Sequence, residues 1–254
     1  MALRSVASAL AGAVGALVFP VLCLGCDRRL RAADAPEAPT PGFLSAGTIP
    51  LCASCLRRLP RAEPGLAEDR LARLPAEALR PRRTVALWAF DTGGTVQRLQ
   101  HALKYGGRPT LGLTLGCLVG RAVAEEAAPY EVVVPVPLGR ARRLARGYNQ
   151  SEQLAHGVAA ALGEGQGAPV PVRDVLVRTR PTRSQTALSR PRRWANVAGA
   201  FALRDATAAP DLAGRRLLLV DDVLTTGATL AAAAAPLLMA GAHVDAALLA
   251  CVVD

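Results

Sequence analysis

The sequence lacks the two commonest nucleotide signatures: there is no GxxxxGK[ST], and no GxGxxG follows a strand. P-loop and dinucleotide-fold readings therefore lose their main support. It is short of acid, with 20 Asp and Glu against 30 Lys and Arg, which leaves a formal net charge of +10. That balance suits phosphate-rich partners: nucleic acid, an anionic lipid surface or polyphosphorylated metabolites. High alanine and arginine also follow from GC-rich coding, so charge alone decides little. Aromatic residues make up only 4% of the chain. Tyr105, Tyr148 and Trp194 are the candidates to stack on a base, and each suits core or rim equally well. No segment reads as a DNA-recognition helix.

Long apolar runs are scarce too, apart from Val6–Cys23. As a signal peptide that run has only Arg4 for its charged region, with Ala11–Ala13 as a cleavage site. As a membrane span it is near the lower length limit, rich in Ala and Gly, and meets Pro20. Leu22 stands where a lipoprotein needs a small residue before Cys23. The favoured expectation is a helix that packs on the protein or touches a membrane surface, in a cytoplasmic protein.

What is present is concentrated at Leu217–Leu230, LLLVDDVLTTGATL. Apolar strand residues run into two carboxylates, then a Thr/Gly loop, then an Ala-rich helical stretch beginning near Thr229. Backbone N–H groups of Thr225, Thr226, Gly227, Ala228 and Thr229 can converge on a phosphate at a helix N-terminus. Gly227 permits backbone conformations closed to other residues. Asp221 and Asp222 can accept hydrogen bonds from ribose hydroxyls. A strand-to-helix turn in which the acids merely cap is the plainer alternative. The stretch is similar to the PRPP-binding motif of type I phosphoribosyltransferases, where PRPP is 5-phosphoribosyl-1-diphosphate.

Near the N-terminus, Cys23-Leu-Gly-Cys26 and Cys52-Ala-Ser-Cys55 form two CxxC pairs. Four thiolates so spaced can hold one tetrahedral zinc. Two disulfides or an iron–sulfur cluster use the same sulfurs. A reducing cytoplasm disfavours the disulfides, and zinc is the preferred reading. Cys117 and Cys251 stand alone in apolar contexts, as core residues do.

The expected organisation is an N-terminal helix and CxxC module over residues 1–59, a linker over 60–83 and a main domain over 84–254. The linker is Pro-rich, with a short helix around Leu66–Leu74. In the main domain, strands are expected at Val85–Phe90, Val132–Val136, Val175–Val177, Ala198–Leu203, Arg216–Val220 and Ala242–Val253. Helices are expected at Thr95–Lys104, Leu111–Glu126 and Gln150–Leu162, the last capped by Asn149 or Ser151. Pro137–Gly147 is expected as a loop whose Arg140, Arg142, Arg143 and Arg146 can grip a diphosphate. Arg178–Asn196 reads as a long basic loop. Alternating strands and helices point to an α/β fold, a mostly parallel sheet with helices on both faces. Both phosphate candidates fall at the carboxyl ends of strands, where such sheets bind ligands.

The chain resembles the ComF family, competence-associated proteins with a cysteine-rich N-terminus and a phosphoribosyltransferase domain. The resemblance rests on the paired CxxC motifs, HALKYGGR at His101–Arg108, VPVPL at Val134–Leu138, RGYNQ at Arg146–Gln150, RTRPTRSQTALS from Arg178, and VDDVLTTGATL at Val220–Leu230. It implies a type I phosphoribosyltransferase fold, PRPP with Mg2+ at the site, zinc on Cys23, Cys26, Cys52 and Cys55, and a part in uptake of single-stranded DNA with other DNA-uptake proteins. By resemblance, Asp221 and Asp222 hold the ribose hydroxyls, Thr225–Thr229 wrap the 5-phosphate, and Arg146 faces the diphosphate. Arg178–Asn196 takes the place of the flexible loop that closes over substrate. The long Ala/Pro-rich spacer between the CxxC pairs departs from the family's usual look. A salvage phosphoribosyltransferase and a PRPP-sensing regulator without turnover stay open beside this reading, and no residue is assigned to an acceptor base. Basic residues beside an aromatic at Arg192-Arg193-Trp194 suit single-strand binding, and they suit a loop over diphosphate equally.

Overall fold

The computed structural model describes residues 21–31, 49–125, 129–181 and 190–253. The expected helix Val6–Cys23 lies almost wholly outside them. The chain divides into two compact units, Met1–Leu59 and Pro60–Asp254. Within the first, a short helix α1 (Ala53–Arg57) follows the second CxxC pair's leading cysteine.

The second unit is α/β. Four strands, β1 (Thr84–Phe90), β2 (Val132–Pro135), β5 (Arg216–Leu224) and β6 (His243–Val252), form one parallel sheet in the order β1-β6-β5-β2. The central strands β5 and β6 carry apolar runs, Leu217–Val220 and Ala246–Val252, because parallel strands are covered on both faces. Leu217, Leu218, Leu219, Leu248 and Leu249 are accordingly fully buried. At the β2 edge Val133 bridges to Val172, which extends the sheet beyond its named strands.

Helices α4 (Pro109–Ala124) and α6 (Gln150–Gln166) pack against each other so closely that only glycine fits. A Cβ on Gly116 would sit 2.1 Å from the Leu154 carbonyl oxygen, and one on Gly157 would sit 2.0 Å from that of Leu113. After the short α8 (Ala209–Leu212) comes the last helix, α9 (Ala228–Met239), which places Ala232, Ala233 and Leu237 in a core cluster with Val132, Val134, Leu217, Leu219, Val244 and Ala246.

Three expectations are revised and one is sharpened. The helix expected around Leu66–Leu74 forms as α2 (Leu66–Ala72), but its Ala67 and Leu71 enter that core cluster, so the stretch read as a linker is packed into the domain. Prolines broke the apolar period there without removing the apolar side chains. Pro137–Gly147 is not all loop: Arg140–Arg146 forms helix α5, in which Arg, Ala and Leu are all good helix formers. The third and fourth strands, β3 (Leu176–Arg178) and β4 (Phe201–Leu203), pair antiparallel in a separate two-stranded sheet. Finally, the basic stretch after Arg178 ends in a helix, α7 (Arg190–Val197), where the sequence suggested loop throughout.

Candidate functional site

Strand β5 runs on past its apolar half and carries Asp221 and Asp222 within its own span, up to Leu224. Beyond it the chain turns at Gly227, whose φ of 82° is left-handed, and α9 begins at Ala228. Glycine is needed there twice over. The conformation disfavours a side chain, and a Cβ would come within 2.7 Å of Leu71 Cδ2. Arg70, from the same helix as Leu71, donates from Nη1 to the Thr225 carbonyl at 2.6 Å and from Nε to the Val252 carbonyl. The segment read as linker thus braces the Thr/Gly turn from behind.

A cavity of about 560 Å³ opens at this end of the sheet. Of the residues expected at a phosphoribosyl site, it gathers Asp221, Asp222, Thr225, Gly227, Thr229 and Arg146. Thr226 and Ala228 are not among its lining residues: Thr226 Oγ1 is buried without a partner, and Ala228 is fully buried. Three further contributions line the cavity: two escaped the sequence reading apart from Tyr105, and the third falls in the stretch expected to close over substrate. The helix α3 (Thr95–Tyr105) brings Gln100, His101, Lys104 and Tyr105. The start of α6 brings Asn149, Gln150 and Ser151. Arg178 and Arg193 complete a set of five basic side chains with Lys104, Arg142 and Arg146, against two carboxylates.

The two acids live in different surroundings. Asp221 Oδ1 accepts from Ser151 Oγ at 2.8 Å and from the Asp222 N–H at 2.9 Å. Burial, and then the neighbouring Asp222 charge, push its carboxyl up to about 7. Asp222 instead pairs with Lys104, Nζ to Oδ2 at 2.6 Å, while Gln100 Nε2 stands 3.5 Å from the same oxygen. Burial lowers the Arg178 pKa, and the nearby Arg142 adds to the effect. Positive charge is thus crowded in the cavity, and an anion would relieve it.

Expected cap residues serve the site instead. Asn149 stands at the N-cap of α6, yet its Nδ2 donates to the Val136 carbonyl at 3.1 Å, and Ser151 is spent on Asp221. Asn149 Oδ1 and Gln150 Nε2 are buried without a protein partner, in residues that line the cavity. Buried orphan polar atoms cost about 1–3 kcal/mol each, so a polar ligand or water belongs there.

The aromatic candidates separate. Tyr148 donates its hydroxyl to the Leu103 carbonyl. Trp194 is half-buried against the core cluster, which commits it to packing. Tyr105 is 61% exposed, with the Arg146 guanidinium 5.1 Å above its ring and the His101 ring 4.6 Å away. Cys117 and Cys251 are buried, as their apolar contexts suggested.

In the N-terminal unit the four cysteines of the CxxC pairs converge, their sulfurs all within 4.8 Å of one another. A tetrahedral zinc with bonds of about 2.3 Å needs sulfurs about 3.8 Å apart, so the donor set fits that ion. The turn after Cys23 returns N–H groups to sulfur: Gly25 and Cys52 donate to Cys23 Sγ at 3.4 and 3.3 Å, and Cys55 donates to Cys52 Sγ at 3.5 Å. For Cys23, burial pulls the thiol up, but the N–H groups of Cys52, Gly25 and Cys26 outweigh it and bring it to about 6. Burial and competition from its neighbours push Cys55 up to about 12. Cys52 is lowered too, chiefly by the Cys55 N–H, and a divalent cation would favour the thiolate at all four. All four cysteines are free of disulfides. Among the described residues no helix is long and apolar enough to cross a membrane.

The phosphoribosyl transferase domain family matches residues 149–254. Among relatives, the DNA utilization protein YhgH of Salmonella typhimurium is 31% identical over 199 residues, covering 76% of this chain and 80% of that protein. Its Escherichia coli counterpart is 30% identical over 227 residues, 87% of this chain and 86% of that protein. Competence protein F of Haemophilus influenzae is 37% identical over 101 residues, 39% of this chain and 41% of that protein.

Proposed function

Because this chain belongs to the ComF family of phosphoribosyltransferase-like proteins, we propose that it binds magnesium–PRPP in the cavity at the end of β5 and acts in the uptake of single-stranded DNA. One observation carries the PRPP reading: two carboxylates at a strand end share one cavity with five basic side chains and a Thr/Gly turn at a helix N-terminus. In this reading Asp221 and Asp222 take the ribose hydroxyls and the turn Thr225–Thr229 takes the 5-phosphate. Arg142, Arg146, Arg178 and Arg193 face the diphosphate, whose charge magnesium shares. Asn149 and Gln150 offer the acceptor and donor that the cavity leaves unmatched.

Calorimetry with PRPP and magnesium tests it. Changing Asp221→Ala and Asp222→Ala together should weaken binding roughly 10- to 100-fold, since hydrogen bonds to charged groups are worth about 1.5–3 kcal/mol each. Equal affinity would reduce the acids to caps of a turn. Turnover is a separate question, answered by mass analysis for diphosphate release with a panel of bases.

Zinc on Cys23, Cys26, Cys52 and Cys55 is the second part of the proposal, and it suits a reducing compartment such as the cytoplasm. The third part is DNA. The names of the relatives motivate it, and the surface of α5 supports it. Arg140, Arg142 and Arg143 are exposed on that helix, Leu144 is 76% exposed, and Arg146 stacks on the exposed Tyr105. Guanidinium groups for phosphates beside a planar cationic stack for bases is the chemistry of single-strand binding. The structure moves this expectation away from Trp194, whose ring serves the core. Fluorescence anisotropy should show single strands preferred over duplex. Replacing Arg140 and Arg143 with alanine should flatten the salt dependence, and Tyr105→Ala should lower affinity at every salt concentration. No preference for single strands would sink the DNA part and leave the PRPP part standing.

A further inference from the structure

Lys104 comes from α3, far in sequence from the acids, and it spends its charge on the carboxylate proposed to hold ribose. Its Nζ lies 2.6 Å from Asp222 Oδ2, and both side chains are largely shielded from solvent. The other oxygen of Asp222 accepts the Val223 N–H at 2.9 Å, and Gln100 Nε2 approaches Oδ2 from one turn earlier on the same helix. Asp222 is therefore already satisfied before any ligand arrives. A ribose hydroxyl that donates to Oδ2 must share or displace the ammonium.

A displaced ammonium in a half-enclosed cavity needs another anion, because leaving it unpaired costs more than the hydroxyl's hydrogen bond returns. Lysine suits such an exchange. Its charge sits on a flexible four-carbon stem with three rotatable donors, whereas a guanidinium fork is fixed by its planarity. The remaining cations of the cavity, Arg142, Arg146, Arg178 and Arg193, mark where a polyanion would lie.

We propose that Lys104 is a specificity-determining residue, which exchanges its ion pair with Asp222 for the 1-diphosphate of the incoming sugar. It thereby makes the diol site accessible only to a ribose that carries an anion at C1. The inference rests on the PRPP reading of the cavity. Ribose 5-phosphate has the same diol and the same 5-phosphate but nothing at C1 to receive Lys104. It must break the Lys104–Asp222 pair without replacing it. PRPP breaks the pair and re-forms it on phosphate. Discrimination between the two sugars then comes partly from a contact that exists only in the unliganded protein.

Titration calorimetry of three ligands with magnesium, PRPP, ribose 5-phosphate and inorganic diphosphate, on the parent and on Lys104→Met, separates the possibilities. Methionine keeps the length of the stem and removes the charge. In the variant PRPP and diphosphate should each bind roughly tenfold or more weakly, the worth of one charge-assisted hydrogen bond. Ribose 5-phosphate should bind as well as in the parent or better, so that the ratio of the two sugar affinities collapses by at least that factor. Lys104→Arg should restore diphosphate binding in part, which controls for loss of fold. Equal weakening of both sugars would make Lys104 a mere support for Asp222 and overturn the proposal, as would no change in either. A parent that binds none of the three ligands would instead overturn the PRPP reading itself.

Discussion

Replacing Asp221 with asparagine should separate stability from ligand binding in a single substitution. Burial, with the Asp222 charge next, carries the Asp221 carboxyl from its ordinary 3.8 up to about 7. The groups that face it are Asp222, Ser151 and Lys104, with Arg178 close enough to feel its charge. Asparagine is nearly isosteric and keeps a carbonyl oxygen for Ser151 Oγ and for the Asp222 N–H. It removes only the negative charge that the fold resists. The sign follows from proton counts. The folded value lies above the unfolded one, so the native state holds the extra proton between about pH 4 and pH 7. The parent's stability is complete below that window and is lost as pH rises through it.

A gap of about 3 pH units at 1.36 kcal/mol each bounds the loss at about 4 kcal/mol. Asp221 keeps some solvent contact, and screening brings the figure nearer about 2 kcal/mol. Asp221→Asn should therefore melt several degrees above the parent at about pH 8, and the difference should close by about pH 4. PRPP affinity should change the other way, falling roughly tenfold at the higher pH because a charged acceptor is gone. Calorimetric melts at both pH values, paired with binding isotherms, make the measurement. A variant no more stable than the parent at high pH, or a gain that does not vary with pH, would show that the fold does not resist this charge.

Elemental analysis should find about one zinc per chain, with less in Cys23→Ser and Cys52→Ser, and chelation should open the N-terminal unit to protease. Metal-free protein with an unchanged protease pattern would count against that assignment. Gly227→Ala should cost about 2–4 kcal/mol in denaturant melts, from a left-handed residue given a side chain and from the contact with buried Leu71. A neutral Gly227→Ala would mean that the turn and helix α2 are not packed as described.

The strands of the sheet were legible because buried parallel strands announce themselves as apolar runs, and Leu217–Val220 and Val132–Val134 have no polar residue to confuse the reading. The Asp-Asp-Val-Leu-Thr-Thr-Gly order was legible for a similar reason, since backbone geometry and chemistry are local there. Helix α2 was expected from Leu66–Leu74, but its place in the core was hidden, because prolines on either side made the stretch read as a linker although Leu66, Leu71 and Leu74 were present to be buried. Helix α5 was hidden by its charge: with no buried residue it has no apolar period to detect. β3 and β4 were found as strands but put in the wrong sheet, because an apolar triplet does not say which partner it pairs with.

Helix α3 shows where local reading stops. Val96, Leu99 and Leu103 gave its buried face from spacing alone, and all three are fully buried. The same spacing sets Gln100, His101, Lys104 and Tyr105 on another face, and a sequence reading would leave that face to solvent. What turns those four residues into a cavity wall is the parallel sheet, which brings the end of β5 beside a helix more than a hundred residues away in the chain. The signal that points to Lys104 lies in charge and not in periodicity. Asp222 is a partly enclosed carboxylate, and such a group calls for a cation close by. The Arg70 contact to Thr225 was invisible for the same reason, since it joins residues 155 positions apart. The site was half written in local sequence, in the part proposed to grip phosphate and ribose. The other half, the Lys104–Asp222 pair proposed to select the ribose, exists only once the sheet has formed.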